Sequence, residues 1–166
     1  MRADAAAELS GADDLRIAPD DVDRDDVRAL LLDHMADMLA ASPPESVHAL
    51  TGVELAQPGV DFWTARTRDG VLLGCGALKA LGGGAGELKS MRTVPAARGR
   101  GVGALILGHL LEESRRRDYR AVYLETGSQE FFRPARRLYA RAGFTETSPF
   151  GDYLLDPHSV YMVLHL

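Results

Sequence analysis

The sequence predicts an α/β protein: a mixed sheet of about six to seven strands with helices on both faces. Two observations carry this reading. The elements run as helices, then a meander of strands, then strand–helix–strand–helix–strand, an order that leaves helices on either side of a sheet. The second is the stretch PAARGRGVGA (95–104), which follows a strand and opens the amphipathic run ALILGHLLEESRRR. Such a loop places bare backbone amides at a helix N-terminus, where anions bind.

LRI (15–17) reads as a short strand after a mobile tail over residues 1–12, and a single domain occupies 13–166. Asp23 or Asp25 caps a helix that runs to about Ala41, with Val27, Leu30, Leu31, His34, Met35, Met38 and Leu39 on its apolar face. SPPES (42–46) stops it, and a second short helical segment falls near 45–50. FWTART (62–67), the turn Arg68-Asp69-Gly70 and VLLGCGALKAL (71–81) form a hairpin. GGGAG (82–86) is a flexible loop, and ELKSMRTV (87–94) is the next strand, ended by Pro95. A helix over 101–117, the strand AVYLET (121–126), a helix from Phe131 to Arg141 capped by Gly143, and the strand SVYMVLHL (159–166) complete the chain.

Composition excludes several classes. A chain of 166 residues with 46% hydrophobic and 26% charged residues suits one soluble domain. The net charge of −5 disfavours a nucleic-acid partner. No apolar run reaches transmembrane length and no signal peptide is visible, so no membrane association and a cytoplasmic location are expected. Cys75 is alone and lies in an apolar run, which reads as core. The five histidines have no metal-ligand spacing, so no metal is expected.

The glycines admit two readings. Gly99-x-Gly101-x-x-Ala104 meets a dinucleotide pattern, with Glu125 ending the next strand where a ribose-binding acid would sit. Against it, PAAR separates the loop from its strand, and about forty residues follow Glu125, too few for a second half of that fold. The other reading uses more of the chain. Arg98-x-x-Gly101-x-Gly103 resembles the pyrophosphate loop of the GNAT acetyltransferase superfamily, and ARRLYARAGF (135–144) resembles that family's second motif. The wider stretches ELKSMRTVPAARGRGVG, LETGS and FGDYLLDPHSVYM are similar to small stand-alone bacterial members, so the resemblance covers roughly 15–166.

What the resemblance implies is the GNAT acyl-CoA N-acyltransferase fold and transfer of an acetyl group from acetyl-CoA to a primary amine by direct attack. It assigns the co-substrate to Met91, Arg92, Thr93 and Val94 on the strand, and to Arg98, Gly99, Arg100, Gly101, Val102, Gly103 and Ala104 in the loop. It also assigns Phe132 and Arg133 at the start of the second motif. The strands at 91–94 and 121–126 are expected to splay around the pantetheine arm. Glu87, eleven residues before Arg98, matches the general base of some members, and Tyr139 matches the proton donor to the leaving thiolate. Many members carry an asparagine where this chain has Phe132, with Thr126, Ser128 or a backbone group as candidate replacements.

The acceptor pocket is expected between the first helices (23–50), Phe62–Trp63 and Phe150–Tyr153. The acidic run Asp20–Asp26 would suit a cationic amine; Lys89, Arg92 and Arg133 would equally suit a carboxylate. A small-molecule amine is the favoured acceptor. A non-catalytic acyl-CoA sensor, an NAD(P)-dependent enzyme, and a homodimer formed through the last strand region stay open at this point.

Overall fold

Leu15–Pro19 (β1), Val60–Thr67 (β2), Leu72–Gly82 (β3) and Ala85–Thr93 (β4) form an antiparallel meander in the computed structural model, which describes residues 15–166. The tail predicted over 1–12 lies outside the described residues. GGGAG is tighter than the predicted loop. Gly82, Gly83 and Gly84 all take positive φ (80°, 62° and 76°), which lets β3 return into β4 across two residues.

The second half follows as Val102–Arg116 (α3), Ala121–Gly127 (β5), Arg133–Arg141 (α4), Thr145–Thr147 (β6) and Ser159–His165 (β7). The sheet has seven strands in the order β1-β2-β3-β4-β5-β7-β6. Only β4 and β5 are parallel neighbours, so the α3 crossover sits between an antiparallel meander and an antiparallel β5–β7–β6 unit. β6 was not foreseen: three residues are too few for alternation to be read, and it exists by pairing with β7.

Asp25–Ala41 (α1) starts where expected but without an aspartate cap. Arg24 holds the cap position and offers no side-chain bond, while the Asp21 carboxylate accepts the Asp23 N–H at 2.9 Å. The predicted segment near 45–50 becomes a single 3₁₀ turn at Pro44–Ser46 and a later short helix, Gly52–Leu55 (α2). Thr51 Oγ1 caps α2 by accepting the Glu54 N–H at 3.3 Å.

Each face of the sheet has its own core. Beneath α1 and α2 lie Val27, Leu30, Leu55, Phe62, Cys75 and Ala77. Beneath α3 and α4 lie Leu78, Ile106, Leu110, Val122, Leu124 and Tyr139. Two glycines of β3 let α3 approach closely. A Cβ on Gly74 would stand 2.9 Å from Ile106 Cδ1, and one on Gly76 would stand 2.9 Å from both Ile106 and Leu110, all on α3. Both contacts are shorter than van der Waals separation, so α3 is seated directly on the β3 backbone.

Gly76→Ala is therefore expected to overpack this interface and cost about 1–3 kcal/mol. Thermal unfolding checks it: the midpoint should fall by roughly 3–10 °C. An unchanged midpoint would show that α3 has slack above the sheet.

Candidate functional site: a cleft where two strands part

β4 and β5 pair through only three registers, Ala85↔Ala121, Gly86↔Val122 and Glu87↔Tyr123. Beyond Glu87 the strands separate. The cause lies on β4, where the β3 register shifts between Cys75 and Ala77 and Ser90 takes φ 54°, a left-handed value rare for serine. A bulge of this kind bends its strand away from a straight neighbour. The parting opens a cleft of about 520 Å³ through the sheet. Leu88–Thr93 form one wall and Leu124–Gly127 the other.

One mouth of the cleft lies at the glycine loop. Gly99 and Gly101 have φ of 75° and 80°, and Gly101 occupies the N-cap of α3. The first backbone bond of the helix runs from Leu105 N–H to the Gly101 carbonyl at 3.0 Å. The N–H groups of Val102, Gly103 and Ala104 are thus left without a backbone acceptor, beside the positive end of the helix dipole. Arg98, Gly99 and Gly101–Ala104 line this mouth, and Gly103 packs against Leu138 of α4.

Three of the predicted cofactor positions lie off the cleft. Val94 turns away: its N–H bonds the Leu73 carbonyl at 2.8 Å and its side chain joins the hydrophobic packing. Arg100 is exposed outside the lining, and Arg133 is exposed and reaches Glu130 at 3.4 Å. Phe132 does line the cleft, by packing rather than by hydrogen bonding. Its ring lies so close to Gly127 that any Cβ there would collide with it. Ser128 does not replace the missing asparagine, because its hydroxyl donates to the Pro157 carbonyl at 2.8 Å. The turn is held instead by Arg136, whose Nη1 donates to the carbonyls of Gly127 (2.7 Å) and Gln129 (2.9 Å). Nothing in the row RPARRLY distinguished this arginine from its neighbours.

The two predicted catalytic residues part company. Tyr139 is 7% exposed and lines the cleft, edge-on to Phe144. Burial, then the nearby Glu125 carboxylate, hold its phenol well above the ordinary value. Glu87 is 2% exposed and lies behind the wall rather than on it. Its Oε1 accepts the Tyr153 hydroxyl at 2.6 Å and Lys89 Nζ at 3.2 Å. The carboxylate that does line the cleft is Glu125 of β5. Burial dominates its titration and, with Glu87 and Asp156 adding repulsion, outweighs Ser159 and Lys89 to push it up to about 7.

The far arm of the cleft is walled by His34 and Met38 of α1, by Ser42 just past its end, and by Ser46–Ala49. Phe62 and Trp63, expected here, face the two cores instead; Trp63 stacks edge-on with His109. Tyr153 stands behind the wall, in an aromatic cluster with His48, Phe150 and Tyr161. The acidic run is also elsewhere. Asp20 accepts from Thr64 (2.6 Å) and Arg66 (2.8 Å), and Asp26 accepts from Arg66 (2.6 Å). Burial would raise Asp20, but those donors bring it down to about 2. Cys75 is fully buried, its thiol pushed up to about 12 by burial. No group of histidine, cysteine and carboxylate side chains able to hold a metal occurs among the described residues. No described helix is long and apolar enough to cross a membrane.

Comparison with known proteins agrees with this architecture. The model of the acetyltransferase (GNAT) family matches residues 27–144. The N-acetyltransferase YsnE of Bacillus subtilis, itself uncharacterized, is 44% identical over 92% of this chain and 100% of its own length. An IAA acetyltransferase of Azospirillum brasilense is 41% identical over 72% of this chain and 77% of its own length. A crystal structure from Klebsiella pneumoniae, assigned to the acyl-CoA N-acyltransferases, superposes with a TM-score of 0.72 at 29% identity, covering 92% of this chain and 97% of that one. A parted parallel strand pair, an amide-lined helix mouth and these matches lead to one conclusion: the chain belongs to the GNAT family of N-acetyltransferases, enzymes that use an acyl-CoA as co-substrate.

Proposed function

We propose that the protein transfers the acetyl group of acetyl-CoA to the primary amine of a small molecule, by direct attack within the β4–β5 cleft. The observation that carries the reading is the juxtaposition of the free amides at the α3 N-terminus with Glu125 and Tyr139 in one continuous cavity. Arg98 and the N–H groups of Val102, Gly103 and Ala104 take the pyrophosphate. The unpaired edge of β4 at Met91–Thr93 offers main-chain partners for the pantetheine amides and an N–H for the developing oxyanion. The Azospirillum relative, named for transfer to IAA rather than to a protein, supports a small acceptor.

Glu125, rather than Glu87, is the group we assign as general base. Two donors already occupy Glu87 Oε1, whereas Glu125 faces the cleft and titrates near neutrality. Glu125 takes the proton of the bound ammonium and passes it to solvent; the freed amine nitrogen then bonds to the thioester carbon, gives a second proton to Glu125, and the carbon–sulfur bond breaks. Tyr139 Oη gives its proton to the departing sulfur, and the proton on Glu125 then restores the phenol. Burial holds the Tyr139 phenol above its ordinary value, so it is still protonated where Glu125 ionises near neutral pH, which is the state a donor needs.

Thiol release with a panel of small amines tests the reading. Tyr139→Phe and Glu125→Gln should each lower kcat by about 100-fold or more. For the wild type, kcat/KM should rise through a limb near pH 7 that belongs to Glu125. In Glu125→Gln that limb should move up to the pKa of the amine itself. A limb that stays near 7 in the variant would remove Glu125 from the mechanism.

The raised pKa also has a stability consequence. Folding favours protonated Glu125, so the cost of ionising it is absent below about pH 4.5, grows as pH rises to about 7, and is constant above. A shift from 4.5 to about 7 corresponds to about 3 kcal/mol. Glu125→Gln should therefore unfold at higher denaturant than wild type at pH 8 and coincide with it at pH 4. Coincidence at both pH values would contradict the buried, neutral-pH titration.

A further inference from the structure

The far arm of the cleft holds two cations, and only one has donors to spare. Lys89 Nζ carries three protons, and three acceptors surround it: the His48 carbonyl at 3.0 Å, Glu87 Oε1 at 3.2 Å and Tyr153 Oη at 2.9 Å. Its ammonium is saturated by the protein and serves to fix the wall. Arg92 differs. Its guanidinium meets the protein through Nη2, 2.7 Å from Asp37 Oδ2, and its side chain is only 8% exposed. Its Nε–H is buried with no partner among the described residues.

Across from it stands His34 on α1, 9% exposed, with Nδ1 buried and equally without a partner. Burial and then the charge of Arg92 bring this imidazole down to about 4, so it is neutral at physiological pH and adds no second positive charge beside the guanidinium. Ser90, two residues away on the bulged strand, adds a third buried polar atom without a partner on the same cleft, its hydroxyl oxygen. Buried polar atoms are nearly always paired, so unpaired ones gathered along one cavity mark where a polar ligand group belongs. The guanidinium presents free N–H donors, and a neutral imidazole adds one more when its proton sits on Nδ1, the tautomer that an anionic oxygen at this place would select. Asp37 already offsets part of the arginine charge, which suits a single negative charge better than a phosphate dianion.

We infer that the far arm recognises an acceptor carrying a carboxylate as well as its amine, with the free N–H groups of Arg92 and Nδ1 of His34 holding that carboxylate. The inference rests on the transfer reading above and narrows it to compact amino carboxylic acids. Arg92 on β4 and Glu125 on β5 line the same cleft from its two walls. One acceptor can therefore present its amine to Glu125 while its carboxylate meets Arg92.

The test is an acceptor panel at saturating acetyl-CoA, in which each amino acid is compared with its amide and with its decarboxylated amine. Carboxylate forms should be preferred in kcat/KM by about 100-fold or more. Arg92→Gln should collapse that ratio to within about threefold, mainly through KM. Asp37→Asn, on the partly exposed side of the pair, leaves Arg92 with an unopposed charge and should lower KM for carboxylates by about three- to tenfold. Because Arg92→Gln disturbs a buried pair, the Asp37→Asn arm stands independently of whether that variant folds. The same comparison is made without turnover, by calorimetry of free amino acids and their amides against CoA-saturated protein, with binding expected only for the acids. Amides or polyamines accepted as well as acids, a preference that survives Arg92→Gln, or no binding of acids to the CoA-loaded protein would each overturn the inference. Failure of the transfer reading looks different: acetyl-CoA does not bind, and no acceptor of any charge releases thiol.

Discussion

Everything at this site depends on β4 and β5 remaining apart. Two parallel strands next to each other in a sheet would ordinarily zip along their whole length, because each unpaired N–H and C=O left inside a protein is costly. Here pairing ends at Glu87↔Tyr123, and the left-handed Ser90 at the β4 bulge turns the rest of that strand away. The freed edge of β4 then has main-chain groups with no partner on β5, facing the cleft. An extended ligand with amides of its own is the natural partner for such an edge. The close seating of α3 over Gly74 and Gly76 fixes the other boundary, since it holds the amide-rich helix terminus against the same opening.

Charge is divided along this cleft by position. At the α3 mouth the protein offers backbone amides, a helix dipole and Arg98, all favouring an anion. In the middle it offers a carboxylate whose ionisation is opposed by burial and a phenol held in its protonated form. In the far arm Lys89 is locked by three acceptors and Arg92 is only half engaged. Two carboxylates, the buried Glu87 and the half-buried Glu125, thus have opposite situations on adjacent strands. One is tied into a lysine–tyrosine network that stiffens the wall; the other faces the open space.

The fold and the loop were legible in the sequence because their determinants are local. Glycines at 99 and 101 sit where positive φ is needed, and the helix that follows announces itself by its apolar period. The meander was legible for the same reason, down to the Arg68-Asp69-Gly70 turn. What could not be read depends on contacts between distant residues. Glu87 sits at the sequence offset of a family base, yet its carboxylate is held by Tyr153, sixty-six positions away. Arg92 is engaged by Asp37 on a helix whose rotation the sequence leaves loose, and the acidic run near the front is drawn to Arg66 on β2 rather than to the pocket. Phe62 and Trp63, adjacent on β2, face opposite cores, a consequence of strand alternation that rules both out of the cleft. β6 is too short to carry a pattern at all.

The measurement that tests the account most directly is calorimetric titration of the protein with acetyl-CoA, CoA and NADH, alongside Gly101→Glu. A glutamate at that position must adopt φ near 80° and sets a negative charge and a side chain among the free amides of the α3 mouth. The account predicts that both CoA species bind the wild type, that NADH does not, and that the variant loses CoA binding. Binding of NADH without acetyl-CoA, or undiminished CoA binding by Gly101→Glu, would contradict it.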